Sequence, residues 1–259
     1  RALIVDHWKS LELIKTENLK KIKTFCLLHS KEINHDIGTS LNKRIIKSTD
    51  NADYIIANSN FTKKLANSVN LDSSKIHVIF PGIRKPEKIE NIYKLKAEKY
   101  FGDSFPKIIT VSRMDKRKGH DKILMLIKNL KPKFPKIKYI SVGEGVEESN
   151  LFKLSKELNL DKEVTFLKKI DFDLKVALIA ESNLFLMPSR IEKKSVEGFG
   201  ISFIEAASYG IGSIGGKDGG APDAIEHKKT GLICDGNDLN SIYDSVIDFF
   251  KNEKFIIYG

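Results

Sequence analysis

Glu197 and Glu205 stand eight residues apart in the run Ser-Val-Glu-Gly-Phe-Gly-Ile-Ser-Phe-Ile-Glu-Ala-Ala-Ser-Tyr-Gly, from Ser195 to Gly210. The first lies in a loop bounded by glycines. The second falls in the opening turns of an Ala-rich helix that the pattern starts near Gly200 or Ile201, so the two carboxylates are expected to have different roles. Gly198 and Gly200 remove Cβ atoms where a ligand would have to approach the backbone. The helix behind them aims its unpaired N–H groups and positive dipole end into the same space, which suits an anion. A second cluster, Arg113-Met-Asp-Lys-Arg-Lys118-Gly119, places long cations on one strand-to-helix turn. That is the chemistry of a diphosphate grip, with Arg forked and Lys as a mobile point charge. A solvated basic loop would show the same composition. What separates the two readings is whether the turn shares a rim with the glycine-bounded helix start.

Other short motifs point away from competing chemistries. Val142-Gly-Glu-Gly145 has Glu148 where a dinucleotide fingerprint needs its third glycine, and Asp218 after Gly215-Gly216-Lys217 stands where a P-loop needs Ser or Thr. Asp171-Phe-Asp173 has the form of a metal-holding Asp-x-Asp, but it immediately precedes a helix, and capping is the expected job. Asn58-Ser59 reads as a helix cap. His29 could be an ordinary polar loop residue at a strand end, and His35, His77, His120 and His227 have no clustered partners and are expected to be structural. Cys26 and Cys234 are far apart with neither zinc nor disulfide spacing, and no metal site is expected.

These residues need a scaffold, and the apolar periodicity supplies one. Strands are expected at 2–5, 24–28, 53–57 and 77–80, with helices at 9–20, 38–49 and 60–69 between them. This is a partial parallel-sheet domain over residues 1–84, ended by Pro81-Gly82. Residues 85–106 read as a charged linker with a helix at 89–99. From Lys107 a fuller series follows, with strands at 108–111, 139–142, 164–167, 184–187, 212–214 and 232–234. Its helices are expected at 120–131, 147–158, 174–180, 201–209 and 239–251. Residues 107–259 are therefore expected to form a complete doubly wound α/β domain. In such a sheet ligands sit outside the carboxyl ends of the strands, which puts Ser112-Arg113, Lys118-Gly119, Gly143 to Gly145, Lys168 to Ile170 and Pro188 to Glu197 on one rim.

At 259 residues and a formal charge of +10, the chain is long enough for a substantial core and basic enough for anionic partners. Only six of its 44 basic residues are Arg, and nucleic-acid signatures are missing. Nucleic acid is not expected as a partner, whereas weak contact with an anionic membrane surface is compatible with the charge. There is no apolar run of membrane-spanning length, and a cytoplasmic location, possible at the inner membrane face, is the expectation. Arg1 opens directly into Ala-Leu-Ile-Val, as in a piece cut from a longer chain.

Taken together, Glu197-Gly-Phe-Gly-Ile-Ser-Phe-Ile-Glu205, Met187-Pro-Ser189, Gly219-Gly-Ala-Pro222, Gly231-Leu-Ile and the Arg113…Lys118-Gly119 turn resemble, in order and spacing, the retaining family 4 glycosyltransferases of GT-B fold. The likeness is specific over 107–251 and looser over 2–83, and within the family it is most similar to bacterial mannosyltransferases acting on phosphatidylinositol-type lipids. The resemblance implies two Rossmann-like parallel-sheet domains, the N-terminal one incomplete. It implies a metal-independent hexosyltransferase without cofactor, using a nucleoside-diphosphate sugar, GDP-mannose first, and a lipid or glycan acceptor held in the cleft between domains, as in glycolipid synthesis for the cell envelope. Arg113 and Lys118 would grip the diphosphate and stabilise the leaving group. Glu205 would hold the ribose, and the Ile170 backbone the base. Glu197 and the backbone of Gly198, Phe199 and Gly200 would hold the sugar and distal phosphate. His29, in a stretch similar to the family's His-Gly-x-Glu, would sit near the transferring sugar. The family also implies a further N-terminal portion with a glycine-rich loop and a C-terminal helix returning to the first domain, and it usually has Pro where Gly212 stands. A sugar-nucleotide epimerase of related fold and a non-catalytic sugar-nucleotide-binding remnant are the competing expectations.

Overall fold

A computed structural model describes residues 1–19 and 21–251. Lys20, the last residue of the helix expected at 9–20, and residues 252–259 of the expected second domain lie outside the described residues. The chain divides into two compact units. One comprises Arg1–Gly82 with Ile191–Phe199, and the other Ile83–Arg190 with Gly200–Gly259.

The first unit is a four-stranded, all-parallel sheet in simple sequential order: β1 (Ala2–Val5), β2 (Lys23–Leu28), β3 (Tyr54–Ala57) and β4 (Ile76–Val78). Helices α1 (Trp8–Glu12), α2 (Thr16–Leu19), α3 (Ser40–Thr49) and α4 (Asn60–Ser68) connect the strands. Alternation decides which face is covered. Cys26 and Leu28 of β2 and Ile55 and Ala57 of β3 pack into one core with Trp8, Leu11, Ile45 and Ala66. On intervening positions, Phe25 stacks on Tyr54, which meets His77. The single helix expected at 9–20 is two short ones. Trp8 donates through its indole N–H to the Glu32 carbonyl at 3.0 Å and Leu11 is buried, so α1 is fixed by its contacts; the chain then turns, leaving Leu13 exposed.

The second unit has six parallel strands: β5 (Lys107–Val111), β6 (Lys138–Val142), β7 (Val164–Leu167), β8 (Leu184–Met187), β9 (Ser213–Gly216) and β10 (Gly231–Cys234). Their spatial order is β10-β9-β8-β5-β6-β7, the doubly wound arrangement in which strand order reverses between β5 and β8. Parallel strands covered on both faces read as continuous apolar runs, and the central ones do so here. Ile108, Leu184 and Leu186 enter one core with α6 (His120–Leu130), α7 (Glu148–Glu157) and α11 (Leu239–Lys251). Ile109, Phe185 and Met187 enter the other with α5 (Asn91–Phe101), α8 (Phe172–Glu181), α9 (Ile201–Ser208) and α10 (Ala221–Ala224).

The helix expected at 89–99 forms as α5, and its Ala97 and Phe101 are buried in that second core. The short helix α10 has no counterpart among the expected elements. Among the described residues, no helix is long and apolar enough to cross a membrane. The architecture is α/β, with two parallel-sheet units of four and six strands, as the sequence resemblance implies.

Candidate functional site

Everything in the second unit's candidate site is arranged around the reversal of strand order. Past the end of β5 the chain keeps bonding to the β6 side, Ser112 N donating to Val142 O at 3.0 Å and Met114 N to Glu144 O at 3.0 Å. Gly143 and Gly145 permit this approach, since a Cβ on either would fall 2.1 Å from Ser112 O or 2.5 Å from Met114 O. Their role in Gly-Glu-Gly is thus to seat the neighbouring turn. Arg113 projects from the bend with its side chain 67% exposed and its Nη2 2.9 Å from Asp115 Oδ2. Residues Lys116–Lys118 form one 3₁₀ turn that delivers the chain to α6.

Gly119 joins that turn to the helix at φ +80, where a Cβ would stand 2.5 Å from the carbonyl oxygen of Pro188. Both the left-handed conformation and the contact require glycine. The turn is therefore pressed against the end of β8, on the other side of the reversal. Lys118, expected as a mobile charge, is instead only 7% exposed, with Nζ 3.6 Å from Met187 Sδ; its stem packs while its ammonium stays at the strand end. Just beyond, Arg190 is almost fully buried. It donates through Nη1 to Asp121 Oδ1 at 3.0 Å and through Nη2 to Asp121 Oδ2 at 2.8 Å, and its backbone N–H donates to Arg117 O at 2.9 Å. This forked pair ties the loop after β8 to the first turn of α6. Sequence reasoning missed it, because Asp121 and Arg190 lie 69 positions apart.

On the same unit, Gly200 caps α9 at φ +96 without a side-chain hydrogen bond. Glu205, one turn further in, accepts from Lys175 Nζ at 3.0 Å. Lys175 was not anticipated either. The only sequence hint was its place four residues after Asp171. Ile170 is partly buried against the second core. Asp171 occupies the N-cap position of α8 but makes no side-chain cap bond, so the expected hydrogen-bonded cap is absent, and only the favourable placement of the Asp171 and Asp173 charges at the helix start remains.

Beneath Arg113 lies a buried polar chain. His120 Nε2 is 3.0 Å from Ser112 Oγ, and its Nδ1 is 3.0 Å from Tyr139 Oη and 3.2 Å from Ser141 Oγ. Tyr139 donates to Thr110 Oγ1 at 3.0 Å, and Thr110 donates in turn to the Leu186 carbonyl. Burial drives the His120 pKa down to about 4, opposed by its hydrogen bond to the Arg113 backbone. His120 is thus a buried structural histidine, as expected, with hydrogen-bond partners that its sequence position does not announce. Cys26 and Cys234 are both buried free thiols, each pushed up to about 12 by burial, as expected for inert packing residues.

The first unit carries the remaining residues. His29 ends β2, with Nε2 2.9 Å from Asp6 Oδ1 at the end of β1 and its backbone N–H donating to Glu32 Oε1 at 2.5 Å. Ser30 takes φ +88, where the family motif has glycine. Its buried hydroxyl bonds Thr62 Oγ1, which holds a conformation unfavourable for a side chain. Ser59 caps α4 through Thr62 N at 2.9 Å, as expected. The strap Ile191–Phe199 lies on this unit. Asn34 Nδ2 donates to Lys194 O at 2.9 Å, and Phe199 stacks on Phe80. At Gly198 a Cβ would fall 2.5 Å from His29 O, so glycine is needed for this close approach. Glu197 is only 8% exposed. The structure thus brings together His29, Glu197, Gly198 and Phe199 in one unit, and Arg113, Lys118, Ile170, Gly200 and Glu205 in the other.

The six-stranded sheet, with its strand order reversing between β5 and β8, is of the doubly wound α/β class. The chain belongs to the glycosyl transferases group 1 family, which it matches over residues 94–256. It is 32% identical over 145 residues to the GDP-mannose-dependent alpha-(1-6)-phosphatidylinositol monomannoside mannosyltransferase of Mycobacterium tuberculosis strain H37Rv, a match covering 55% of this chain and 38% of that protein. It is 37% identical over 118 residues to the N-acetyl-alpha-D-glucosaminyl L-malate synthase of Bacillus anthracis, covering 45% of this chain and 29% of that one. The crystal structure of HepE from Anabaena in complex with UDP superposes with a TM-score of 0.81 at 18% identity, covering 99% of this chain and 71% of that one.

Proposed function

We propose that the chain carries the donor-binding part of a retaining hexosyltransferase that uses a nucleoside-diphosphate sugar, with mannose from GDP-mannose ranked first, and transfers the sugar to a lipid or glycan acceptor. The observation that carries this reading is the Arg113–Lys118 turn, seated by Gly119 against the end of β8 at the point where strand order reverses. Similarity to mannosyltransferases supports mannose, and similarity to an N-acetyl-alpha-D-glucosaminyl L-malate synthase supports hexose transfer more broadly.

In this reading Arg113 and Lys118, with the N-terminus of α9, meet the negative charge that grows on the departing diphosphate. These cations supply charge that a divalent ion supplies in other transferases, so metal independence is part of the proposal. Glu205, held by Lys175, accepts from the ribose hydroxyls; the Ile170 backbone contacts the base. Glu197 and the backbone at Gly198, Phe199 and Gly200 position the sugar, and His29, braced by Asp6, acts near its reacting carbon. Retention then comes from leaving-group stabilisation and sugar positioning, with no glycosyl-enzyme carboxylate.

Calorimetry of this chain against GDP-, UDP- and ADP-sugars tests the reading. Binding of at least one, lost in Arg113→Ala, is the expected result. Binding of none, by a protein that melts cooperatively, would overturn it. An epimerase would release free nucleotide and epimerised sugar without acceptor, so acceptor-independent turnover of the intact protein decides against transfer.

A further inference from the structure

The buried polar chain under the β5 turn does more than fill the core. Four side chains from three elements meet there, Thr110 on β5, His120 on α6, and Tyr139 and Ser141 on β6, and the chain ends on the Leu186 carbonyl of β8. It therefore spans both strands that flank the reversal. Its outer end is the Ser112 hydroxyl, 3.0 Å from the His120 ring. Ser112 Oγ also donates to Arg113 O at 3.2 Å. The imidazole is consequently the one side chain in this chain of bonds that joins the core, through Ser112, to the backbone of the exposed cationic turn. An apolar residue at position 120 would satisfy the amphipathic pattern of α6 equally well, with Ile123, Leu124 and Ile127 behind it. Instead a polar ring is buried, at a desolvation cost that only its hydrogen bonds offset.

We propose that His120 is a positioning residue for donor binding: its ring locks the Ser112–Arg113 backbone so that the Arg113 guanidinium is held ready for the diphosphate before the ligand arrives. The inference rests on the reading that this turn grips a nucleoside diphosphate. Preorganisation of this kind lowers the ordering penalty at binding without the ring touching the ligand.

Calorimetric titration of the 259-residue chain with GDP and with UDP separates the possibilities. His120→Phe keeps the ring volume and removes both nitrogens, and it is expected to raise the Kd of the tighter nucleotide about tenfold, the worth of a hydrogen bond or two. His120→Gln, which restores a hydrogen-bonding side chain at this position, is expected to recover most of that loss. In an Arg113→Ala background, His120→Phe should add less than about twofold, because the group it positions is gone. Ser112→Ala supplies the same coupling test if His120→Phe does not fold. An undiminished loss in the Arg113→Ala background would mark a general packing defect and overturn the proposal, as would wild-type affinity in folded His120→Phe. If Arg113→Ala itself binds like wild type, the diphosphate reading fails first and the role of His120 with it; if Arg113→Ala weakens binding and His120→Phe does not, only the inference about His120 fails.

Discussion

Lys175 and Glu205 form a direct ion pair, Nζ to Oε1 at 3.0 Å, from the second turn of α8 to the second turn of α9, with both side chains largely shielded. Cation and carboxylate fix each other's rotamers, and one Glu205 oxygen is engaged before any ligand arrives. Lys175→Met should therefore weaken binding of bare nucleoside diphosphate by roughly fivefold, about 1 kcal/mol. Calorimetry with GDP or UDP checks this. The same substitution in Glu205→Gln should add little.

The two glutamates should separate by ligand. Glu205→Gln is expected to weaken bare nucleotide and nucleotide sugar alike, and Glu197→Gln to act on the sugar-bearing ligand or on turnover. Equal losses for bare nucleotide in both variants would contradict the division.

Arg113 and Lys118 should differ in stability as much as in binding. Each charge-assisted bond is worth about 1.5–3 kcal/mol, so Arg113→Ala and Lys118→Met should each raise the nucleotide-sugar Kd by one to two orders of magnitude. Exposed Arg113 should leave Tm unchanged. Lys118→Ala, by contrast, removes a packed stem and should lower Tm as well, which Lys118→Met should largely avoid.

Gly119→Ala confronts the Pro188 carbonyl at 2.5 Å with φ at +80. A loss of about 1–3 kcal/mol in chemical denaturation is expected, together with weaker nucleotide binding, because the turn can relieve the clash only by leaving β8.

Acid should find His120. Its folded pKa of about 4 lies below the model-peptide value of 6.5, so the unfolded chain takes up the proton first as pH falls. The stability tied to the neutral ring is present above pH 6.5 and is lost as pH drops towards 4, about 3 kcal/mol in all. Urea unfolding across that window should show a steeper decline for wild type than for His120→Gln. Carboxylates that also titrate there are common to both proteins and cancel in the comparison.

Much of the scaffold was legible because central parallel strands announce themselves as apolar runs such as Leu184-Phe-Leu-Met187, and because Gly and Pro punctuate them. The Arg113–Gly119 turn and the Gly200 helix start were readable for the same reason, being contiguous motifs beside strand ends. The Arg190–Asp121 fork, the Lys175–Glu205 pair and the His120 contacts were not. Each joins residues that only the sheet order makes neighbours, and a lone His or Lys carries no local pattern. The break between α1 and α2 was hidden too, since the apolar spacing through Leu11 and Leu19 fits one helix as well as two.

The strap Ile191–Phe199 interrupts the second unit's sequence while packing on the first, so the chain passes between the units at three places, after Gly82, Arg190 and Phe199. A single peptide-bond cleavage cannot free either unit as an unbroken polypeptide with its own contacts. Starting the chain at Ile83 would leave residues 191–199 without His29, Asn34 and Phe80 to lie on, a nine-residue loop stripped of its bed. Excising those residues instead would remove Glu197 while keeping Glu205. Exchange of either unit of this chain must therefore transplant two segments together, or yield a chimera in which Glu197 and Glu205 come from different parents.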